Sequence, residues 1–273
     1  MNPTPSPEVG GAITALVQGR HQQPHDLLGQ HLESGGLRIR VLKPLAQSVQ
    51  VRFEDGVTLD LAHEAEGVWT AVRADAERTM DYRLAVAWAD GIEHVQDDPY
   101  RFAPTLGEVD LHLVNEGRHE LLWTVLGSRV HEYDGPMGPV KGVAFAVWAP
   151  RAKAVRVIGD FNDWDGRIHP MRMLGGSGVW ELFVPDVGVG NIYKYEIRGA
   201  DDVVRTKADP MARRTECPPN TGSVVDASGH EWGDAQGMEQ RAQSNPHTGP
   251  MSTYEVHLGS WRQGLSYREM AEH

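Results

Sequence analysis

The sequence predicts an all-β fold of two tandem β-sandwiches, closed by a short strand-then-helix segment. Three observations predict it. Apolar and polar residues alternate with a period of two along much of the chain, the pattern of antiparallel strands covered on one face. Gly- and Asp-rich turn signals punctuate these runs. The two halves of the chain also repeat each other in order, at a slowly rising offset.

Element by element, the N-terminal run MNPTPSPEVGG has no basic or apolar core of a leader peptide and reads as a disordered lead-in over residues 1–11. Ile13, Leu16 and Val17 have helical spacing. Leu37, Ile39 and Val41 then alternate with Arg38 and Arg40. Val49, Val51 and Phe53 alternate with Gln50 and Arg52, and the run Met80, Tyr82, Leu84, Val86, Trp88 follows. Turns fall at Glu54-Asp55-Gly56 and Ala89-Asp90-Gly91. Residues 12–108 therefore form the first sandwich, immunoglobulin-like in strand count and spacing. Helical spacing returns over Glu116–Leu126, with Gly127 placed to stop it. Val143/Phe145/Val147, Trp180/Leu182/Val184 and Tyr193/Tyr195/Ile197 mark strands of a second sandwich over 110–226. Residues 227–250 read as a linker rich in Ser, Gly, Asn, Gln and Pro. Thr253–Leu258 reads as a strand, and Ser266 with Glu269 as the capping box of a helix, so 251–273 begins a β/α unit.

The repeat is specific. Leu28-Gly29 corresponds to Leu126-Gly127 at an offset of 98, and Pro44 and Val51 to Pro150 and Val157 at 106. Gly67-Val68-Trp69 corresponds to Gly178-Val179-Trp180 at 111, as do Tyr82 to Tyr193 and Asp98-Pro99 to Asp209-Pro210.

Bulk properties exclude several classes. The 273 residues carry a net charge of −12 and no basic cluster, which argues against nucleic acid or an anionic membrane as partner. Neutral ligands such as sugars are unaffected. No apolar run approaches the ~20 residues that span a bilayer. A single cysteine, Cys217, rules out an internal disulfide and fits a reducing, cytoplasmic compartment. Among 13 histidines, His21 and His25 are four apart, but Pro24 lies between them. No metal and no cofactor is expected.

The runs Gly142–Pro150 (GVAFAVWAP) and Gly159–Trp164 (GDFNDW) resemble the starch- and glycogen-binding module of α-amylase superfamily enzymes. Asp165–Arg172 (DGRIHPMR), Ser177–Pro185, Tyr193–Ile197, Lys207–Pro210 and Tyr254–Trp261 resemble, more narrowly, the bacterial glycogen (1,4-α-glucan) branching enzymes. The diverged first copy is similar to that family's extra N-terminal domain. The resemblance implies a retaining transfer that cuts an α-1,4 link and rebuilds it as an α-1,6 branch, using two carboxylates about 5–5.5 Å apart. These sit in a (β/α)8 barrel, of which residues 251–273 would be the truncated first β/α segment. No catalytic residue falls in this chain, so inactivity is expected of it alone. Asp160, Asp163 and Asp165 read as turn residues.

In related modules a Trp of the FNxW turn and a Lys of the YKY strand touch sugar. Carried onto this sequence, these are Trp164 and Lys194, with Asn162 beside them. The second Trp such modules place before Asp-Pro is missing, since Val203–Lys207 contains none. Trp69, Trp148 and Trp180 are expected in the core or in hairpins. The implied partners are an α-glucan and the catalytic barrel in cis, in a monomeric full-length protein. The competing reading is a freestanding glucan-binding or scaffold module. A debranching or trehalose-releasing enzyme is disfavoured by the duplication and by the HPMR run.

Overall fold

The computed structural model describes residues 5–245 and 247–273. They form two compact units, the chain through Ala227 and Ser228–His273.

The first unit begins with helix α1 (Pro7–Val17). Ser6 caps it, accepting from the Val9 N–H at 3.4 Å, and Pro7 and Glu8 occupy its first turn. Gly11 and its predecessors from Pro7 on are therefore helical rather than part of a disordered lead-in. Ile13 and Leu16, spaced by three, are its buried face. Seven strands follow: β1 (Gly29–Glu33), β2 (Gly36–Leu42), β3 (Ser48–Phe53), β4 (Thr58–Ala65), β5 (Val68–Arg73), β6 (Tyr82–Ala87) and β7 (Glu93–Gln96). They make one antiparallel sheet in the order β1-β2-β5-β4-β3-β6-β7. β4 pairs with both β3 and β5, and its register shifts between His63 and Ala65. That irregularity curls the sheet over on itself. The alternating residues Leu37, Ile39, Val41, Val49, Val51, Phe53, Tyr82, Leu84 and Val86 fill the space inside.

The second copy opens with helix α2 (Glu108–Asn115), not with a helix over Glu116–Leu126. Gly117, at φ +67°, stops α2 just where the expected helix would begin, and Leu122–Thr124 is a short 3-10 turn. Strands β8 (Gly127–Tyr133), β9 (Val140–Trp148), β10 (Ala154–Gly159), β11 (Arg172–Met173), β12 (Val179–Pro185), β13 (Ile192–Arg198), β14 (Val204–Lys207), β15 (Arg214–Thr215) and β16 (Ser223–Val224) follow. They form two sheets, β11-β12-β9-β8 and β10-β13-β16-β15, with β14 also on β13. Only the two-residue β11 pairs where the second half of β4 pairs in the first copy. Residues 169–171 keep a remnant of the first half's pairing, with Met171 N bonded to Val155 O at 2.9 Å and Val157 N to His169 O at 3.2 Å, and the loop 160–168 takes the place of the rest.

The duplication holds at the level of hydrogen bonds. Tyr82 Oη donates to Asp98 Oδ2 at 2.6 Å, and Tyr193 Oη to Asp209 Oδ2 at 2.6 Å. Trp69 Nε1 donates to Lys43 O at 3.1 Å, and Trp180 Nε1 to Ala149 O at 3.1 Å. Gly67 (φ +85°) and Gly178 (φ +74°) lie so close to Pro44 and Pro150 that a Cβ would fall 2.8 and 2.6 Å from the proline Cα. Only glycine meets both demands.

The two copies share one core. Ile13, Leu16, Leu28 and Leu42 of the first belong to the same buried cluster as Val143, Phe145, Trp180 and Tyr195 of the second. Arg156 Nη2 donates to Val17 O at 2.8 Å, and Arg198 to Gln18 O and Gly19 O, each at 2.9 Å. Two cations thus sit at the negative end of α1. The connecting segment is held by the buried pair Arg172–Glu181, closest at 2.7 Å. Arg172 Nη1 also donates to Phe102 O at 3.1 Å, and Glu181 Oε1 accepts from the N–H and the hydroxyl of Thr105.

In the second unit, α3 (Ala235–Gln243), α4 (Leu258–Trp261) and α5 (Tyr267–Ala271) are the regular elements. Ser266 and Glu269 do form a capping box. Thr253–His257, expected as a strand, carries no strand, and Leu258 opens α4. A strand is defined by a neighbour that accepts its ladder, and none pairs with this segment among the described residues. Of the expected β/α segment, the capped helix is therefore present and the strand is not, among the described residues. No helix among the described residues is long and apolar enough to cross a membrane.

Two predictions follow from the shared core. Arg172→Met should destabilise the chain by ~3–5 kcal/mol, because Glu181 is then left buried without its cation. Adding Glu181→Leu should recover part of the loss. Urea unfolding of both variants checks this, and a single variant as stable as wild type would refute it. The second concerns pH. Burial drives His25 down to about 2 and His169 to about 3 from the ordinary value of 6.5. The unfolded chain therefore binds more protons than the folded one below 6.5. The stability tied to neutral His25 and His169 is full above that pH and is lost as pH falls toward about 3. Asp98 and Asp209, raised by burial, act in the opposite sense, with a window that starts from the ordinary carboxylate pKa. The urea midpoint should fall between pH 7.5 and 5.5, and His169→Gln should flatten that slope.

Candidate functional site

The loop that replaces most of β4 is built to display one side chain. From Gly159 the chain turns through the 3-10 segment Asp160–Asn162. Phe161 points inward and stacks on Phe145, ring centroids 5.6 Å apart. Asn162 is buried. Its Oδ1 accepts from Gly159 N at 2.8 Å, and its Nδ2 donates to Val157 O at 3.0 Å and lies 2.9 Å from His169 Nδ1. Neutral His169 has the lone pair this last contact requires. Asp163 and Trp164 then adopt left-handed conformations, φ +52° and +61°. Each costs on the order of 1–2 kcal/mol for a non-glycine residue. With Phe161 and Asn162 pinning one side, the strained pair leaves Trp164 44% exposed.

Two of the three carboxylates of this loop, Asp160 and Asp165, are committed to its shape. Asp160 accepts from Asn191 Nδ2 at 2.8 Å and Ile192 N at 3.0 Å. Asp165 accepts from Arg167 N and its guanidinium, and that arginine holds its carboxyl below the usual range. They bind the turn together, as their positions in the sequence suggest.

Lys194 lies on β13, where its register partner on β10 is Ile158. Tyr193 and Tyr195, its neighbours, point into the core, so Lys194 is on the outer face. The loop closes over that same face: a Cβ on Gly166 would fall 2.9 Å from Ile158 Cγ2. The Trp164 loop and Lys194 thus share one side of one sheet. Lys194 Nζ donates to Thr221 Oγ1 at 2.8 Å, which leaves ammonium hydrogens free for a further acceptor. Asn162, expected as a third sugar contact, is not on that surface. Its amide is spent inside, where it braces the turn.

The other aromatics divide differently from expectation. Trp180 is fully buried and Trp69 half-buried, but Trp148 is 57% exposed. It has the parity opposite to Val143, Phe145 and Val147 on β9, and its indole is fixed by a hydrogen bond from Nε1 to Ser177 O at 3.2 Å. Strand parity alone does not find this, since Ala144 and Ala146 share the parity of Trp148 and are fully buried. Among the described residues, no group of three or more His, Cys, Asp or Glu is placed to hold a metal ion.

Comparison with known proteins places this geometry. Residues 10–100 match the family model described as alpha-1,4-glucan branching enzyme GlgB, N-terminal domain. Residues 125–212 match carbohydrate-binding module 48 (isoamylase N-terminal domain). The chain is 53% identical over 260 residues to the 1,4-alpha-glucan branching enzyme GlgB of Rhodococcus jostii, covering 95% of this chain and 35% of that protein. It is 55% identical to that of Thermobifida fusca over the same shares. Among solved structures, a type I pullulanase of Bacillus subtilis in complex with maltose aligns with 75% of this chain and 27% of its own. Its TM-score is 0.33 at 17% identity, a likeness too weak to bear on function. The chain spans about a third of the length of the curated relatives it matches, and it belongs with the N-terminal region of the bacterial 1,4-alpha-glucan branching enzymes.

Proposed function

We propose that this chain is the non-catalytic N-terminal region of a glycogen branching enzyme and that its second sandwich holds α-glucan. The observation that carries the first part is the match at 49–55% identity over nearly the whole chain to proteins named for that activity. In this reading the transfer of an α-1,4-linked segment to an α-1,6 position takes place on carboxylates of a barrel in cis. The sandwiches position glucan for it, in the cytoplasm and as part of a monomer.

Trp164 is the sugar platform. An apolar ring face held in a strained, braced loop offers the flat contact that a pyranose ring stacks on, at little cost in side-chain entropy. Lys194 supplies a donor on the same sheet face. Asn162 serves indirectly, by fixing the backbone that carries Trp164. With no second Trp in Val203–Lys207, most of which is the exposed strand β14, one platform supports only modest affinity.

The chain should give no spectral shift in an amylose–iodine branching assay; activity there would overturn the non-catalytic reading. Glycogen pull-down should retain the wild-type chain and lose most of that retention in Trp164→Ala, with a smaller loss in Lys194→Ala. Retention unchanged in Trp164→Ala would reject the platform.

A further inference from the structure

We infer that the face made by the carboxyl end of α2, the 3-10 turn Leu122–Thr124 and Trp148 is a docking surface. Its occupant is the polypeptide that the branching enzymes carry beyond the region matched here. This rests on the proposed function for the identity of the occupant. The surface itself is identified by the internal repeat.

In the first copy the equivalent face is occupied, and the second copy is what occupies it. The equivalence is close. His21 Nδ1 accepts from Gln23 N at 3.1 Å, and His119 Nδ1, 98 residues on, accepts from Leu121 N at 3.2 Å. Gly19 (φ +63°) and Gly117 (φ +67°) terminate the two helices. Arg20 N bonds to Ala15 O at 2.8 Å, and Arg118 N to Leu113 O at 2.9 Å. On the first copy, Arg156 and Arg198 of the second donate to the carbonyls of Val17, Gln18 and Gly19. A Cβ on Gly19 would fall 2.7 Å from the Arg156 guanidinium.

On the second copy the same positions are bare. The carbonyls of Asn115, Glu116 and Gly117 receive no side-chain donor among the described residues, and nothing lies within 4 Å of a Cβ built on Gly117. The side chains have changed in the direction of an interface. Buried Leu42 (3% exposed) becomes Trp148 (57%), and Gln23 and His25 become Leu121 and Trp123, 51% and 55% exposed. Val114, Gly117, His119, Leu122, Leu126 and Trp148 line an apolar pocket of about 210 Å³. Aromatic and aliphatic groups fixed around an open pocket are the composition of an interface core.

The repeat also states the chemistry of the occupant. The α2 end offers unpaired carbonyls with partial negative charge, and the charged residues that follow it, Glu116, Arg118 and Glu120, sum to a net negative charge, while Arg129 is already spent on Thr124 O and Thr105 Oγ1. The partner therefore brings guanidinium or ammonium groups to those carbonyls, as Arg156 and Arg198 do for α1, and an apolar residue to the pocket. The relatives are about three times as long as this chain, so such a partner is available within one polypeptide.

The test uses hydroxyl-radical footprinting on two proteins, this chain and a chimera in which it replaces the matched region of the Thermobifida fusca relative. Trp123 and Trp148 should be labelled at least ~5-fold more slowly in the chimera, with Trp164 unchanged. Leu121→Ser/Trp123→Ser in the chimera should restore fast labelling of Trp148. Equal labelling of Trp123 in both proteins would overturn the docking surface. So would protection of Trp123 in the isolated chain by maltoheptaose, which would make it a sugar site, or by raised protein concentration, which would make it a self-interface. Branching activity of the chimera reports separately on the proposed function, so loss of activity with retained protection fails that reading and not this one.

Discussion

The junction of the two copies in the first unit is organised by the buried ion pair between Arg172 and Glu181. Glu181 is fully buried on β12, and Arg172 reaches it from β11 with two donors. Their remaining hydrogen bonds all go to one stretch of chain, Phe102 to Thr105, which connects the two copies. The corresponding facing pair in the first copy is Ala62 and Thr70, which carries no charge and whose hydroxyl bonds only to Ile39 O on the adjacent strand. A buried pair of this kind contributes little net stability against an apolar alternative but leaves a large penalty for any arrangement that separates the charges. It therefore specifies where the connector lies, and with it the angle at which the copies meet.

From that connector the rest of the junction follows. Tyr100, at its start, directs its hydroxyl to the carbonyls of Ile168 and Pro170, so the display loop is tied to the first copy at the end opposite Trp164. The α1 helix lies against the second copy with its carboxyl end on Arg156 and Arg198. The same buried cluster runs through both, so the first copy serves the second as a wall. A ring displayed on a loop gains from this, since a fixed side chain loses little freedom in any contact it makes.

The two copies show how one skeleton yields two surfaces. The Tyr–Asp, Trp–carbonyl and Gly–Pro contacts that set the sandwich are kept nearly to the tenth of an ångström. What differs is peripheral. Between Val157 and Gly178 the second copy is five residues longer, as the change of offset from 106 to 111 records, and those residues convert a ladder strand into the loop that carries Trp164. At the α2 end, Leu121, Trp123 and Trp148 stand where the first copy has Gln23, His25 and Leu42, and no counterpart of Arg156 and Arg198 reaches the helix end among the described residues.

The sequence by itself determined the strands, the duplication and the relationship. Period-two alternation at Leu37–Val41, Val49–Phe53 and Tyr193–Ile197 reads directly as sheet because burial on one face dictates it locally. The position of α2 is legible too, because the offset of 98 carries Ile13 and Leu16 of α1 onto Leu111 and Val114, whereas the hydrophobic spacing after Glu116 belongs to a 3-10 turn. Only tertiary structure decided which polar groups face inward. Asn162 and Trp164 are two residues apart in one turn, and nothing in their order says that one spends its amide on Gly159, Val157 and His169 while the other is exposed. That choice rests on contacts with strands and a histidine elsewhere in the chain. Trp148, likewise, is outermost because no segment of the described chain covers the end of β9, and Thr253–Leu258 is not a strand because a strand exists only where a neighbour bonds to it.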